Sequence, residues 1–383
     1  MLNFDYYNPT RIAFGQGKVA ELANLVPANA RVLVLLGGNS ACSNGTLAEV
    51  RAALGARYVE EFSGIEPNPQ YDTLMRAVAQ IKANKLDFLL AVGGGSVIDG
   101  TKFIAAAVYA NDEPWNILLK HGANVEAAMP FGSVLTLPAT GSEMNNGSVI
   151  SRGSDKLFFT SEQVFPLFSV LDPTRSYSLP PRQLANGVVD AYTHIMEQYL
   201  TYPVEARVQD RFAEGLLQTL IEIGPKVVEA PHDYDTQANF MWVATLALNG
   251  LIGAGVPQDW ATHMIGHEIT ALHGLDHAQT LAIVLPAMLS VRRADKRAKL
   301  LQYAARVWQL TEGSEEARID AAIQRTREFF EKLGAKTRLS DYQIGQEAIP
   351  SILAQLEAHG MVMLGEHQNV SLDKSREVLL AAA

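Results

Sequence analysis

The sequence predicts an α/β domain built on a parallel sheet, followed by an all-α domain. Three observations support this prediction. The chain has 383 residues, which is too long for one comfortable hydrophobic core. Short apolar runs alternate with helical patterns in the first half, and strand-like runs stop after Pro180 and Pro181. We therefore assign residues 1–180 to the first domain and 181–383 to the second.

The first domain contains apolar runs with the length and composition of buried strands. These runs are Arg31–Leu36 (RVLVLL), Leu86–Val92 (LDFLLAV) and Ser133–Leu137 (SVLTL). A helical pattern, Tyr71–Ala83, lies between the first two. Strands that alternate with helices favour a parallel sheet, because each crossover helix connects two parallel strands.

The second domain has long segments in which apolar residues recur three and four positions apart, as on one face of a helix. In the last segment, Ile319, Ile323 and Phe330 lie on such a face. This periodicity predicts helices, and hence an all-α domain. The segments are Arg211–Ile223, Asp235–Leu248, Lys299–Trp308 and Ala317–Leu333.

Composition excludes several classes of protein. A net charge of −10 argues against a nucleic-acid partner, which requires a basic surface. The single cysteine, Cys42, excludes intrachain disulfides and clusters of thiolate metal ligands. The first ten residues have neither the basic nor the apolar region of a signal peptide, and runs such as Phe88–Val92 are too short to span a bilayer. We expect a cytoplasmic protein without a membrane partner.

Each predicted strand leads into a loop of small and hydroxyl residues: Gly37–Ser40, Gly93–Ser96 and Pro138–Ser142. Ligands of open α/β sheets bind outside the carboxyl ends of the strands. Glycine allows backbone N–H groups to approach a phosphate, and a helix N-terminus adds partial positive charge. The loops therefore indicate a dinucleotide site. The first loop has no acid to repel a 2′-phosphate, which favours NADP over NAD.

Histidines and one aspartate have the spacing of metal ligands. Asp190 and His194 are four residues apart, as are His263 and His267, so each pair shares a helix face; His277 follows ten residues later. Zn²⁺ or Fe²⁺ needs three or four such nitrogen and oxygen ligands. The zincin motif HExxH fails at Ala271. From spacing alone, which histidines join Asp190 and His194 stays open.

Several motifs together resemble those of the iron-containing, or group III, alcohol dehydrogenase family. The nearest branch is that of the NADPH-dependent broad-specificity aldehyde reductases and butanol dehydrogenases. The resemblance implies a dehydroquinate-synthase-like nucleotide-binding domain, a helical domain and a homodimer. The motifs are GIEPNP (Gly64–Pro69), GGGSxxDxxK (Gly93–Lys102), LPATGSE (Leu137–Glu143), GxxDAxxH (Gly187–His194) and the run HxxxH…GxxH (His263–His277).

The resemblance also implies roles for individual residues. One divalent ion, Zn²⁺ or Fe²⁺, would be bound by Asp190, His194, His263 and His277. His267 would lie near the metal as part of a proton path. One carboxylate and three neutral imidazoles would leave this site a net charge of about +1. NADP(H) would contact Gly37, Gly38, Ser40, Asn68, Gly94, Gly95, Ser96, Asp99, Thr136, Thr140, Asn145 and Lys156.

The activity implied is reversible NADPH-linked reduction of an aldehyde to a primary alcohol, with the metal polarising the carbonyl. One alternative is an NAD-dependent glycerol or diol dehydrogenase, which the missing acid in residues 37–40 disfavours. Another is a dehydroquinate-synthase-like lyase, but Val256–His277 has no Lys or Arg to bind an anionic substrate. A metal-binding protein without catalysis would leave the strand-end loops unexplained.

Overall fold

The computed structural model describes residues 1–383. The strands are β1 (Arg11–Phe14), β2 (Arg31–Leu36), β3 (Tyr58–Phe62), β4 (Phe88–Gly94), β5 (Phe131–Leu137), β6 (Gly147–Arg152), β7 (Asp155–Thr160), β8 (Phe168–Leu171), β9 (Met363–Leu364) and β10 (Val370–Ser371). The helices are α1 (Leu22–Leu25), α2 (Ser40–Ser43), α3 (Thr46–Leu54), α4 (Tyr71–Asn84), α5 (Gly95–Ala107), α6 (Asn116–Leu119), α7 (Pro181–Tyr199), α8 (Arg207–Glu229), α9 (Tyr234–Ala247), α10 (Ala261–His273), α11 (His277–Val291), α12 (Arg297–Arg306), α13 (Glu315–Lys332), α14 (Ile349–Ala358) and α15 (Leu372–Ala381).

Six strands form one parallel sheet in the order β1-β8-β5-β4-β2-β3. The predicted parallel sheet is therefore confirmed. Strand β2 has the predicted bounds, and β4 and β5 are displaced from theirs by two residues at one or both ends. The prediction missed β1, β3 and β8, which are short or, in β3, carry two glutamates. It also missed the antiparallel hairpin β6–β7.

Side chains of the central strands alternate between two hydrophobic cores. Leu33 and Leu35 of β2 pack into a core shared with α4 and α5. Val32 and Val34 point the other way, into a core shared with α1 and α3. Because both faces of the sheet are covered by helices, β2 is a continuous apolar run rather than an alternating one.

The strand order reverses beside β2. The chain passes from β2 to β3 on one side, and the next strand, β4, pairs with the other side of β2. Open α/β sheets bind ligands at the carboxyl ends of strands flanking such a reversal. Gly37–Ser40 follows β2, and Gly93–Ser96 spans the junction of β4 and α5, so the topology places both segments at the expected ligand position.

The chain forms two compact units whose bounds differ from the predicted domains at two segments. One unit consists of Tyr7–Leu179 and Pro231–Thr245; the other consists of Met1–Tyr6, Pro180–Ala230 and Leu246–Ala383. Most of α9 therefore belongs with the sheet.

Tertiary contacts explain this placement of α9. The rings of Trp242 and Phe14 meet edge to face with centroids 6.0 Å apart, and Met241 is buried in the core of α4 and α5. Thr245 also donates a hydrogen bond of 2.6 Å to Glu143. The helical periodicity of α9 does not indicate which neighbours it packs against.

The second unit is mostly helical, as predicted, and three of the four predicted segments correspond to its helices α8, α12 and α13. The fourth segment corresponds to α9, most of which lies in the unit of the sheet. The exception in the second unit is the two-residue hairpin β9–β10, which the prediction missed. One core joins α10, α11, α14 and α15 through residues such as Ile265, Ile283 and Leu356. No helix combines the length and apolar character needed to cross a membrane.

Candidate functional site

Helix α7 presents Asp190 and His194 on one face. The helix begins at Pro181, where proline fits because the first helical turn needs no N–H donor. Residues four apart lie one turn above each other, so the two side chains are neighbours. Both are buried, at 3% and 4% exposure. A charged carboxylate at such depth needs a compensating positive charge.

Helices α10 and α11 supply the other histidines of the site. His263 and His267 lie one turn apart on α10, and His277 is the first residue of α11. A Cβ atom on Gly266 would lie 2.8 Å from Thr280 Oγ1, so glycine allows the two helices to approach closely. This approach brings the start of α11 beside the two histidines of α10.

Three imidazole nitrogens surround one carboxylate oxygen. Asp190 Oδ1 lies 3.6 Å from Nε2 of His194, 3.9 Å from Nε2 of His263 and 3.7 Å from Nε2 of His277. Neither Asp190 Oδ1 nor His263 Nε2 has a hydrogen-bond partner. The four residues that the resemblance implied as ligands are therefore close together, with three imidazole nitrogens around the Oδ1 atom of Asp190.

These spacings are close to those between ligands of a divalent cation, and two of them are slightly longer. Ligands about 2.0–2.2 Å from a tetrahedral Zn²⁺ lie roughly 3.3–3.6 Å from one another. The donor atoms of Asp190, His263 and His277 all lie within 4.8 Å of each other. His194 lies beside this group, with Nε2 3.6 Å from Asp190 Oδ1 and its ring stacked on that of His263, centroids 4.7 Å apart. Nitrogen and oxygen donors of this kind suit Zn²⁺ or Fe²⁺.

Burial and neighbouring charges shift the pKa values of the residues at this site. Burial alone would raise the pKa of Asp190, but His194, His263 and His277 hold it well below its ordinary value. Burial lowers the pKa of His194 to about 4, although Asp190 acts in the opposite direction. An ionised carboxylate beside a neutral imidazole is the protonation state that metal binding requires.

Glu197 is a buried member of the site that the sequence analysis missed. Its Oε2 pairs with His263 Nδ1. Burial by itself would lower the pKa of His263, but Glu197 and Asp190 outweigh burial and raise it to about 9. Spacing places Glu197 on the helix face of Asp190 and His194, because it follows His194 by three residues and Asp190 by seven. Its pairing with His263 is a contact between distant parts of the chain, which spacing does not show.

His267 and His273 occupy different environments on α10. His267 is buried, with ring centroids 5.1 Å from His277 and 6.3 Å from His263. It is therefore adjacent to the proposed ligands. His273 is exposed in the last turn, immediately before Gly274.

Strand β4 ends at Gly94 and α5 begins at Gly95, so the loop predicted at Gly93–Ser96 is instead a direct strand-to-helix junction. Gly94 is the N-cap of that helix, and no side chain caps its free N–H groups. A Cβ atom on Gly95 would lie 2.4 Å from Thr140 Oγ1, and one on Gly93 would lie 2.5 Å from Val97 Cγ2. Glycine is therefore required sterically, and the uncapped N–H groups of α5 can receive a phosphate.

A buried lysine fixes the turn that follows β5. Lys102 donates hydrogen bonds of 2.9 Å to Ser142 Oγ, 2.7 Å to Asn145 Oδ1 and 2.8 Å to Gly147 O. Burial lowers its pKa to about 8, while Asp99 and Glu143 act in the opposite direction. Asn145 thus binds the protein itself and defines the shape of the turn.

The other residues implied for the nucleotide occupy several elements. Asp99 accepts hydrogen bonds from Ser142 Oγ and Val149 N, so its carboxylate also helps to hold the turn after β5. Thr136 and Lys156 are buried on β5 and β7. The remaining residues lie after strands or at helix starts: Gly37 and Gly38 after β2, Ser40 at the start of α2, Asn68 before α4, Ser96 in α5, and Thr140 after β5.

The fold and the site place the chain in a known enzyme family. Residues 9–173 match the family described as iron-containing alcohol dehydrogenase, and residues 184–383 match the C-terminal region of the Fe-containing alcohol dehydrogenase family. The chain belongs to the iron-containing alcohol dehydrogenase family, which confirms the prediction made from its motifs.

Individual relatives match the whole chain. It is 60% identical over 386 residues to the NADPH-dependent aldehyde reductase YqhD of Escherichia coli (strain K12), with 100% of both chains covered. The E. coli YqhD structure matches with a TM-score of 0.99 at 59% identity, covering 100% of this chain and 99% of the other. The NADH-dependent butanol dehydrogenase A of Thermotoga maritima matches with a TM-score of 0.96 at 32% identity, over 100% and 99% of the chains.

Replacing His263 tests the geometry of the site. We expect His263→Ala to lose bound metal and activity together, because it removes one of the imidazoles directed at Asp190. Elemental analysis after dialysis should find metal near the buffer background. His273→Ala, on the exposed end of the same helix, is the matched control and should retain wild-type metal content. A metal-free His263→Ala protein with full activity would contradict this assignment.

Proposed function

We propose that this protein catalyses the reversible NADPH-linked reduction of aldehydes to primary alcohols at a site holding one divalent cation. The observation that carries the proposal is the convergence of three imidazole Nε2 atoms on the buried Oδ1 of Asp190. Similarity to an NADPH-dependent aldehyde reductase along the whole chain supports the choice of reaction.

Within this proposal, the protein binds and tunes the cation. Asp190 contributes one negative charge, and His194, His263 and His277 contribute imidazole nitrogens. A divalent cation supplies Lewis acidity, which draws electron density from a carbonyl group and favours hydride addition. Burial of Asp190, His194 and His263 excludes water, so the electrostatic interaction with a developing oxyanion is stronger than in bulk solvent.

The carboxyl ends of the central strands would bind the nucleotide. NADPH supplies the hydride. Glycines at positions 93 and 95 pack closely against Val97 and Thr140, and a pyrophosphate would be stabilised by the N-terminus of α5. Lys102 would act indirectly, by fixing the turn that contains Asn145.

His267 is the group that we assign to proton transfer. Its ring lies 5.1 Å from that of His277, centroid to centroid, on the helix that also carries His263. A ring nitrogen of His267 can hold a proton near the carbonyl oxygen and release it as the alcohol forms. We assign His267 this role rather than metal binding because His194 already supplies a nitrogen close to Asp190.

Nothing in the site favours the alternative reactions over aldehyde reduction. No acidic residue occurs in Gly37–Ser40, which supports NADPH over NADH, although the T. maritima relative is named as NADH-dependent. The homodimer and the cytoplasmic location stay predictions from the sequence.

A direct assay tests the reaction. Purified protein should contain about one Zn²⁺ or Fe²⁺ per chain, as one four-ligand site requires. It should oxidise NADPH in step with loss of added aldehyde, measured by the absorbance of the reduced nicotinamide. We expect chelation to abolish activity and one of the two metals to restore it. An aldehyde panel without NADPH consumption by the metal-loaded protein would refute the reductase proposal.

Asn39→Asp tests the preference for NADPH. The change places a carboxylate in the loop after β2, where it would repel a 2′-phosphate and accept a hydrogen bond from a ribose 2′-hydroxyl. We expect kcat/KM for NADPH to fall at least about tenfold, or about 1.4 kcal/mol, with NADH affected less. Asn29→Asp, at the opposite end of β2, adds the same charge and should change neither value. Equal losses with both cofactors would contradict the proposed position of the 2′-phosphate.

His267→Ala separates proton transfer from metal binding. We expect the variant to keep its metal but to lose about 10²-fold or more in kcat, because a positioned proton donor typically contributes that much. Elemental analysis and steady-state kinetics on the same preparation provide both measurements. If metal content falls in parallel with kcat, His267 is a ligand and the assignment is wrong.

A further inference from the structure

Glu197 is buried on the face of α7 that carries Asp190 and His194, with 4% of its surface exposed. A carboxylate at this depth is stable only if several groups satisfy it. Its two oxygens contact different parts of α10, and each contact has a separate structural consequence.

One carboxylate oxygen of Glu197, Oε2, orients the ring of His263. Glu197 Oε2 pairs with His263 Nδ1. When Nδ1–H donates to a carboxylate, the ring is held in the tautomer that has its lone pair on Nε2. The Nε2 atom of His263 is the one that faces Asp190 Oδ1, at 3.9 Å. The pair therefore determines both the orientation and the donor atom of a proposed ligand.

The other carboxylate oxygen, Oε1, accepts hydrogen bonds from the first turn of α10. Glu197 Oε1 accepts hydrogen bonds from the backbone N–H of Thr262 at 2.8 Å and of His263 at 3.3 Å. The preceding N–H, that of Ala261, donates to Asp259 Oδ1 at 2.9 Å. The N-cap residue Trp260 makes no side-chain capping bond, so these carboxylates take over that function. The backbone and the ring of His263 are thus held by the same group.

Glu197 also changes the charge of the site. With Asp190 alone, a divalent cation among neutral imidazoles would keep a charge of about +1, whereas a second carboxylate brings the total close to zero. Neutralising a buried cation lowers the desolvation cost of binding it. Glu197 therefore favours metal binding through both orientation and charge.

We propose that Glu197 is a positioning residue that holds His263 Nε2 toward the cation and thereby raises the affinity of the site for a divalent metal. This inference rests on the metal-binding part of the proposed function. The competing role is that of a helix cap alone. In that role Glu197 would stabilise α10 but would not change the affinity of the site for metal.

Glu197→Gln separates the two roles, because glutamine keeps the size and one acceptor oxygen but removes the charge. The matched control is Glu214→Gln. Glu214 is equally buried at 4% exposure but lies on α8 and bonds Tyr199, Arg211 and Arg306.

Zn²⁺ affinity is measured on the full-length chain by competition with a chromophoric chelator, alongside the melting temperature of the metal-free protein. For Glu197→Gln we expect the Kd for Zn²⁺ to rise about 10- to 100-fold. For Glu214→Gln we expect a lower melting temperature and an unchanged Kd. A Glu197→Gln protein with lower thermal stability but wild-type affinity would overturn the positioning role and leave Glu197 as a helix cap.

A second measurement needs no variant. Histidine-selective ¹⁵N NMR of the Zn²⁺-loaded wild-type protein should show His263 coordinated through Nε2, with its Nδ1 proton far downfield as in a hydrogen bond to a carboxylate. Coordination through Nδ1 would overturn the inference even if Glu197→Gln failed to fold. Failure of the wild-type protein to bind Zn²⁺ or Fe²⁺ would instead refute the metal-binding proposal itself. Equal affinities of wild type and Glu197→Gln would refute only the positioning role.

Discussion

The organisation of the helical unit depends on one electrostatic constraint, the burial of the Asp190 carboxylate. An ionised carboxylate without sufficient compensation costs several kcal/mol in a protein interior. No hydrogen bond reaches its Oδ1, and imidazole nitrogens of three histidines lie 3.6–3.9 Å from it. Those distances are too long for hydrogen bonds but suit ligands around a common ion. Helices α7, α10 and α11 therefore pack so that three imidazoles surround one buried carboxylate.

Helix starts give the arrangement its precision. His277 is the first residue of α11, where Asp276 and Gln279 form a capping box. His263 lies in the first turn of α10, which Asp259 and Glu197 cap. A capped first turn has a fixed backbone, so a side chain projecting from it is less mobile than one on a loop. The same caps that stabilise the helices thus reduce the freedom of the groups directed at Asp190.

The sheet unit meets a different constraint, which is the close packing of backbone and side chains at the carboxyl ends of its strands. Close packing explains the glycines there, because Gly95 leaves no space for a Cβ atom beside Thr140. Buried polar groups hold the neighbouring turn: Lys102 satisfies three acceptors, and Asp99 accepts from Ser142 and Val149. Charges buried in this way are stable because each is matched by hydrogen bonds. The motif GGGSxxDxxK thus combines glycines that pack closely at the end of β4 with Asp99 and Lys102, whose hydrogen bonds hold the turn after β5.

The sequence by itself determined the fold class, the family and two pairs of side chains that each share a helix face, because strand composition, helix spacing and motifs are local properties. Asp190 and His194 needed only helical periodicity to become neighbours, as did His263 and His267. Spacing could not show that His277 completes the set, since its distance to Asp190 depends on how closely α10 and α11 pack at Gly266.

Tertiary structure alone decided that α9 packs with the sheet and that Glu197 is buried against His263. In both cases the local sequence pattern is shared by many helices. Only contacts between residues distant in sequence determine which core a helix joins and whether a carboxylate is buried or solvated.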